Sequence, residues 1–203
     1  MYEVGSYNAK IYEYDLTTPF DISTASFSQS ISTQDGSPYG VAWNNDGSKM
    51  YEVGNNTDKI YEYDVSTPFD ISTATYARDM NTKDSIPMNV SWNNDGSKMY
   101  EVGFNGEKIY EYDVSTSYDV TTTSFSQSIS TQDTSPESIA WGLEGSKMYE
   151  VGYANKKIYE YNLSTPFDIS TASLYQSINT QDEYPREITW NTDGSKVYEI
   201  GSS

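Results

Sequence analysis

Carboxylates recur along this chain at spacings that could support acid–base chemistry. They form two rows, one in segments that read YEV or YEI and one in segments that read KIYEY: Glu3, Glu52, Glu101, Glu150 and Glu199, then Glu13, Glu62, Glu111 and Glu160. Paired carboxylates serve glycosidases as acid and as base or nucleophile. The pattern returns in every unit, whereas an active site needs one asymmetric set. It therefore favours structural packing of glutamate on cross-strand tyrosine over catalysis.

A second acidic set lies in loops that read TQD or TKD: Asp35, Asp84, Asp133 and Asp182. In a ring of repeats these loops lie near the axis, where symmetry-related carboxylates could gather Ca²⁺ or another cation. The alternative is an aspartate that accepts backbone N–H groups in the turn before the next proline. The pattern favours the turn, so we predict no cofactor and keep Ca²⁺ as the open alternative.

Aromatic and apolar side chains occupy the two stretches in which the repeated segments differ most from one another: Tyr7, Tyr39, Met88, Phe104, Tyr153 and Tyr184. Alternating strand directions place both stretches on the same face of the fold. Flat apolar rings with hydrogen-bonding edges suit sugar rings or peptides. Exposed loops also vary because little restrains them, so ligand binding and neutral drift both remain open.

Composition excludes several kinds of site. The 203 residues include no cysteine and no histidine, which removes thiolate metal sites, Ser-His-Asp triads and imidazole switches. A net charge of −18 repels phosphate backbones and anionic membranes, so we expect neither nucleic acid nor membrane insertion. The first residues, MYEVGSYNAK, lack the basic and apolar regions of a signal peptide. Localisation stays open.

The elements that must position these residues follow from a repeat. Met1, Met50, Met99, Met148 and Val197 open the same pentad, 49 residues apart each time. Each unit contains four strand-like segments, such as YGVAW, KMYEVG, KIYEYD and ASFSQSIST, and none has helical spacing. An Asn-Asp-Gly turn joins the first two. With a loop over residues 55–58, Val53 lies opposite Ile60 and Glu52 opposite Tyr61.

Four antiparallel strands in a 49-residue unit predict a β-propeller blade. The segment DGSKMYEVGNNTDKIYEYDVST also resembles the YVTN-type propeller repeat, with its D-G-x-K-x-Y-V core, and is similar in strand order to NHL and WD40-like blades. The resemblance covers nearly the whole chain. Glutamate after the tyrosine and the lengthened STPFDIST loop depart from the family pattern. What the resemblance implies is a fold, and hardly an activity.

The predicted fold is all-β: one domain over residues 1–203, a propeller of four blades with four antiparallel strands each. Repeats start near residues 1, 50, 99 and 148, and residues 197–201 form a surplus strand. We expect velcro closure, in which the first strand of the last repeat, Glu187 to Trp190, joins the N-terminal strands. One of the pentads Met1–Gly5 and Val197–Gly201 then takes the seat beside it. The alternative is part of a larger ring or an eight-bladed dimer, so the chain is a monomer or a homodimer.

For function, the near-identity of the units favours a non-catalytic, lectin-like binding module that holds a glycan or peptide with loops on one face. Two alternatives stay open. One is a structural or recently amplified propeller without a specific ligand. The other is a carboxylate-based hydrolase or lactonase, which requires the units to have become different from one another.

Overall fold

Antiparallel strands supply most of the regular structure. The computed structural model describes residues 1–202, which form 17 β-strands and five short 3-10 helices. Within that range no helix combines the length and apolar character needed to cross a bilayer. The N-terminal sheet holds β1 (Tyr2–Gly5), β2 (Lys10–Leu16) and β3 (Ala25–Ser32). The C-terminal sheet holds β16 (Pro185–Trp190) and β17 (Val197–Gly201).

Three complete four-stranded blades lie between these two sheets. Their strands are β4 (Pro38–Trp43), β5 (Lys49–Gly54), β6 (Lys59–Val65), β7 (Ala74–Asn81), β8 (Pro87–Trp92), β9 (Lys98–Gly103), β10 (Lys108–Val114), β11 (Thr123–Ser130), β12 (Pro136–Gly142), β13 (Lys147–Gly152), β14 (Lys157–Leu163) and β15 (Ala172–Asn179). The remaining blade is divided between the two ends of the chain. The predicted all-β propeller of four-stranded blades is confirmed.

The junction between the two ends differs from the predicted closure. Strand β16 pairs with β17, while β1 stays beside β2, so the expected pairing of β16 with an N-terminal strand is not formed. The cause is chain distance. A turn in which Asn191 N–H bonds to the Lys196 carbonyl at 3.1 Å joins β16 directly to β17, whereas pairing with β1 must close a loop over the whole chain.

Register and turns follow the repeat closely. Val53 lies opposite Ile60 and Glu52 opposite Tyr61, as predicted. The Asp-Gly turn places Gly47 at φ +72°, and a Cβ there would come within 2.4 Å of the Phe69 ring. Only glycine fits this position, because both the backbone conformation and the packed ring exclude a side chain.

The connection after each third strand contains an element that the sequence pattern did not predict. In the first complete blade, residues Ile71–Thr73 form a 3-10 turn that Asp70 caps, accepting from Ser72 N–H at 2.9 Å. This short turn buries Ile71 completely. The Ser, Thr and Asp residues of the segment thus do more than form a loop, because they fix one apolar side chain against the neighbouring blade.

Aromatic side chains hold adjacent blades together. The Tyr51 ring lies 4.7 Å from the Trp92 ring of the next blade, and its hydroxyl donates to the Tyr118 carbonyl at 2.6 Å. Tyr100 repeats this arrangement on Trp141 at 4.6 Å. The second-strand tyrosine therefore fills the wedge between two splayed sheets and still satisfies its polar end.

The second-strand glutamate is buried for a structural reason. Glu101 is 0% exposed and accepts from Lys83 N–H at 3.0 Å, Asp84 N–H at 2.8 Å and the Tyr112 hydroxyl at 2.5 Å. Glu52 and Glu150 make the same contacts in the blades on either side. This carboxylate fixes the TQD or TKD turn to the sheet, a role that the predicted packing on a cross-strand tyrosine did not include.

Replacing this glutamate tests its role. Glu101→Ala leaves three buried donors without an acceptor, so we expect the free energy of unfolding to fall by about 2–4 kcal/mol. The measurement is urea denaturation followed by tryptophan emission. Glu3→Ala is the matched control, because Glu3 has the same strand position but is exposed and accepts from the Tyr14 hydroxyl alone among the bonds described. Equal losses in the two variants contradict the assignment.

Candidate functional site

The predicted cation ligands already accept from backbone N–H groups of their own turn and of the loop between the second and third strands of the blade. Asp35 accepts from Ser37 N–H at 2.7 Å, Asn56 N–H at 3.2 Å and Thr57 N–H at 3.0 Å, and Asp84 and Asp133 repeat this pattern. Nowhere in residues 1–202 do three or more acidic side chains cluster so that they could hold a metal ion. The four aspartates Asp35, Asp84, Asp133 and Asp182 thus do not assemble the axial cation site, because each turn uses its own carboxylate.

The predicted aromatic set divides into separate groups. Phe104 and Tyr153 stack with ring centroids 6.4 Å apart, and Tyr184 lies 6.3 Å beyond Tyr153. These rings form a row across three neighbouring loops. Tyr39 and Met88 instead line a central cavity. Tyr7 is fully exposed and belongs to neither group.

The central cavity has a volume of about 460 Å³ and lies where the first-position strands converge. Residues of β4, β8, β12 and β16 form most of its wall, and β1 and β17 contribute residues from the two ends of the chain. Ligands of β-propellers have access to such a space because the inner strands surround it. Residues from all five sheets meet in this cavity, and it is therefore the candidate functional site.

A β-bulge in each first-position strand directs side chains into this cavity. The register shifts at the residue after the proline, between Pro38 and Gly40 in β4 and at the equivalent places in β8, β12 and β16. A bulge places two residues opposite one and re-aims the extra side chain. The bulged residues are Tyr39, Met88, Glu137 and Arg186, and all four line the cavity. The same position of the repeat thus carries four chemically different side chains.

Arg186 is the cation of the cavity. Its Nη1 lies 2.8 Å from Oε1 of Glu137, whose side chain is 2% exposed, and its Nε donates to the Ser202 hydroxyl at 3.1 Å. The guanidinium also lies 5.6 Å from the centroid of the Tyr153 ring. These contacts hold the guanidinium in place and connect the cavity to the row of aromatic loops.

Two carboxyl groups of the cavity have perturbed acidity. Burial raises the pKa of Glu137 to about 7, although Arg186 opposes the shift. Burial alone raises the pKa of Glu187 to about 7. Loss of hydration disfavours the charged form of a carboxyl group. A group with a pKa near neutrality can both accept and release a proton at physiological pH, which is the property of a general base.

A buried amide completes the polar lining. Asn89 is 5% exposed, and its Oδ1 has no hydrogen-bond partner among residues 1–202. Buried acceptors without partners are rare in folded proteins, so this oxygen is available to a donor on a bound molecule.

Sequence reasoning missed Glu137, Arg186, Glu187 and Asn89, although the stretches that hold them were recognised as the most variable between copies. The signal available in the sequence was the chemical type of the residue that follows the proline in each copy. The slot after the proline holds Tyr, Met, Glu and Arg in successive copies, so a buried ion pair depends on two repeats having diverged. The criterion of aromatic and apolar side chains selected Tyr39 and Met88 at this position but passed over the charged pair.

No protein-family model matches the chain, and no curated protein matches it either, so the resemblance to YVTN, NHL and WD40-like blades stays a prediction. Solved structures match it in fold. A functionally unknown protein from Desulfotomaculum acetoxidans is 13% identical, with a TM-score of 0.62 over 100% of this chain and 59% of its own. A candidate 6-phosphogluconolactonase from Bacteroides uniformis is 12% identical, with a TM-score of 0.62 over 97% of this chain and 62% of its own.

The periplasmic gluconolactonase of Pseudomonas aeruginosa is 11% identical, with a TM-score of 0.62 over 95% of this chain and 56% of its own. The chain thus spans less than two thirds of the length of these neighbours. Two of these three neighbours are named as lactonases, which contradicts the prediction of a non-catalytic, lectin-like module, so that prediction is wrong on this comparison. These names agree with the lactonase alternative.

The raised pKa of Glu187 predicts how stability depends on pH. The folded-state pKa of about 7 exceeds the unfolded value of about 4.3. The folded state therefore binds the extra proton between these values, and its stability falls as pH rises from about 4.3 to 7. We expect Glu187→Gln to raise the free energy of unfolding by about 1–3 kcal/mol at pH 8, because one pKa unit corresponds to about 1.4 kcal/mol and partial exposure reduces the effect.

The measurement is thermal or urea unfolding of the wild-type chain and the Glu187→Gln chain at pH 4 and pH 8. At pH 4 both carry a neutral side chain, so the expected difference vanishes. Glu183→Gln, whose side chain is 77% exposed, serves as the control. A Glu187→Gln chain that is less stable at pH 8 contradicts the assigned burial.

Proposed function

We propose that the protein is a hydrolase that opens a small lactone in the central cavity. The observation that carries the proposal is the juxtaposition in one cavity of an anchored guanidinium, Arg186, and a carboxyl group with a pKa of about 7, Glu187. Lactone opening needs a base for water and a positive group for the carbonyl oxygen. The lactonase names among the structural neighbours support the same reaction class.

In the proposed reaction, the Glu187 carboxylate removes a proton from water as the water oxygen attacks the lactone carbonyl carbon. The carbonyl π-electrons move to the oxygen, and the Arg186 guanidinium stabilises that negative charge. The tetrahedral intermediate then collapses and the ring C–O bond breaks. The leaving alkoxide oxygen takes the proton from Glu187. Lactone and water are thereby converted to a hydroxy acid, and Glu187 is regenerated as the carboxylate.

Glu137 acts in this scheme as a positioning residue. Its carboxylate is almost completely buried and holds the Arg186 guanidinium at 2.8 Å. The ion pair fixes the direction of the guanidinium N–H groups before the substrate arrives, which lowers the cost of organising charge during the reaction. Asn89 offers its unpartnered Oδ1 to a substrate hydroxyl.

The charges of the cavity indicate an uncharged substrate. Glu3, Glu137 and Glu187 supply three carboxyl groups, whereas Arg186 is the single cation among the lining residues and is already paired. A phosphate group would meet net negative charge in a chain that carries −18 overall. We therefore infer a neutral sugar lactone as the substrate class. The anionic hydroxy acid that forms is repelled by the same carboxylates, which favours product release.

The test is hydrolysis of glucono-1,5-lactone, followed by base consumption at constant pH and corrected for the spontaneous reaction. We expect kcat/KM to rise with pH to a plateau above about 7, because Glu187 must be ionised. Glu187→Gln removes the base and lowers kcat by roughly 10²–10⁴-fold. Glu183→Gln, which changes a carboxylate four residues earlier outside the cavity, keeps the wild-type rate.

Two results overturn the proposal. One is no acceleration over the spontaneous reaction by the wild-type chain. The other is acceleration that Glu187→Gln leaves intact. A higher kcat/KM for a 6-phosphorylated lactone than for the neutral one contradicts the inferred substrate class alone.

A further inference from the structure

The N-terminal sheet and the last complete blade leave uncovered two surfaces that every inner junction buries. Ile71, Val120 and Ile169, at the start of the 3-10 turns, are 0% exposed, but their N-terminal equivalent, Ile22, is 65% exposed. On the opposite side, Ile178 of β15 is 58% exposed, whereas its equivalents Ile31, Met80 and Ile129 are partly buried by the following blade. The two ends are thus the two halves of one inter-blade contact.

A buried hydrogen bond shows how this contact forms between complete blades. Glu62 of β6 accepts from Val120 N–H of the next blade at 3.0 Å, and Glu111 of β10 accepts from Ile169 N–H at 3.0 Å. We call this bond the inter-blade staple. Glu160 of β14 has the same place in its blade, but it accepts from Lys147 and Gln176 of that blade. Within residues 1–202, it has no staple to a following blade.

The C-terminal side also carries a groove shaped for the missing half. Tyr149, Ile158, Ile178 and Trp190 line a cavity of about 100 Å³ beside Glu160. In the complete blades, the residue equivalent to Phe20 packs its ring on the tryptophan, as Phe69 does on Trp43 at 5.4 Å. Trp190 has no such ring over it, and Phe20 is 60% exposed at the other end.

The chain's own N-terminal sheet does not cover this groove. Strands β1 and β16 are unpaired with each other. The solved propellers that align with 94% or more of the chain are longer, and the chain spans 56–62% of them. The blades here thus follow the curvature of a ring that has room for more blades than residues 1–202 supply. A second copy brings the matching half at each end.

We propose that the C-terminal end of one copy and the N-terminal end of a second copy build a joint blade, and that two copies close an eight-bladed ring head to tail. Each copy supplies three complete blades, and each of the two junctions supplies one more. A head-to-tail contact closes into a ring when the rotation fits, here after two copies. At each junction Ile22 enters the groove, Ile22 N–H donates to Glu160, and Phe20 packs on Trp190.

Two copies of the second strand of the repeat, β1 and β17, compete for one place at the junction, and their contacts determine which of them is displaced. The joint blade has one seat beside β16, and both β17 of the same copy and β1 of the second copy fit it. Strand β1 is anchored by Tyr2, whose hydroxyl donates to the Phe69 carbonyl at 2.5 Å and whose ring lies 4.9 Å from Trp43. In β17, Val197 and Ile200 are 38% and 51% exposed. Strand β17 is therefore the one displaced, which releases Ser202 from Arg186 but keeps the Arg186–Glu137 ion pair.

The test is the molar mass of the full chain in solution by light scattering after size exclusion. We expect about twice the chain mass of 22.9 kDa for the wild-type protein. Ile178→Glu places a charge in the groove and shifts the mass to 22.9 kDa. Leu174→Glu is the matched control in the same strand. Its position is exposed in every blade, at 46% for Tyr76 and Phe125, so this variant keeps the wild-type mass.

Complementation tests the direction of the contact. Ile22→Glu alone also gives the single-chain mass, but a mixture of Ile22→Glu and Ile178→Glu chains retains one intact junction and recovers the doubled mass. Circular dichroism of both variants matches the wild type, because Ile22 and Ile178 are exposed in the single chain. A wild-type protein of single-chain mass, a dimer that Ile178→Glu leaves intact, or a mixture that stays at single-chain mass overturns the proposal.

Discussion

The structure depends on one interaction, the bond between a buried third-strand glutamate of one blade and a backbone N–H of the next. Glu62 and Glu111 reach across the junction to accept from the N–H groups of Val120 and Ile169, and the apolar side chains of these two donor residues are completely buried beneath. A single four-stranded sheet cannot cover its own faces, so its stability comes from copies of itself. The 49-residue period reflects that requirement, because it places the glutamate and the isoleucine or valine at the same relative positions in each unit.

In the same architecture, the residues that stabilise the blades are distinct from the residues that line the cavity. Glutamates that look catalytic in the sequence, such as Glu101, are occupied by backbone N–H groups and tyrosine hydroxyls. The cavity chemistry instead comes from one bulged slot, which holds Tyr39, Met88, Glu137 and Arg186. Repetition supplies four equivalent places around the axis, and divergence at those places makes the site asymmetric. A hydrolytic site can therefore arise on a nearly identical set of blades through a few substitutions.

Much of the fold could be predicted from the sequence, since local rules determine it. Alternation gave the strands, Asp-Gly gave the hairpin, and the loop length gave the pairing of Val53 with Ile60. The cavity was less accessible. A β-bulge changes which side chains face the cavity, and strict alternation of inward and outward residues does not predict where a bulge occurs. The pairing of Arg186 with Glu137 depends on how far two blades splay. The partner of β16 was also undetermined, because two similar pentads, MYEVG and VYEIG, compete for one place beside it.

Amide hydrogen exchange by NMR tests the central claim that each blade is stabilised by its neighbour. The relevant amides are those of Ile22, Ile71, Val120 and Ile169, which share one place in the repeat. In the Ile178→Glu chain, we expect slow exchange at Ile71, Val120 and Ile169, whose N–H groups bond to a glutamate of the preceding blade, and fast exchange at Ile22. Equal exchange rates at all four amides would contradict the account.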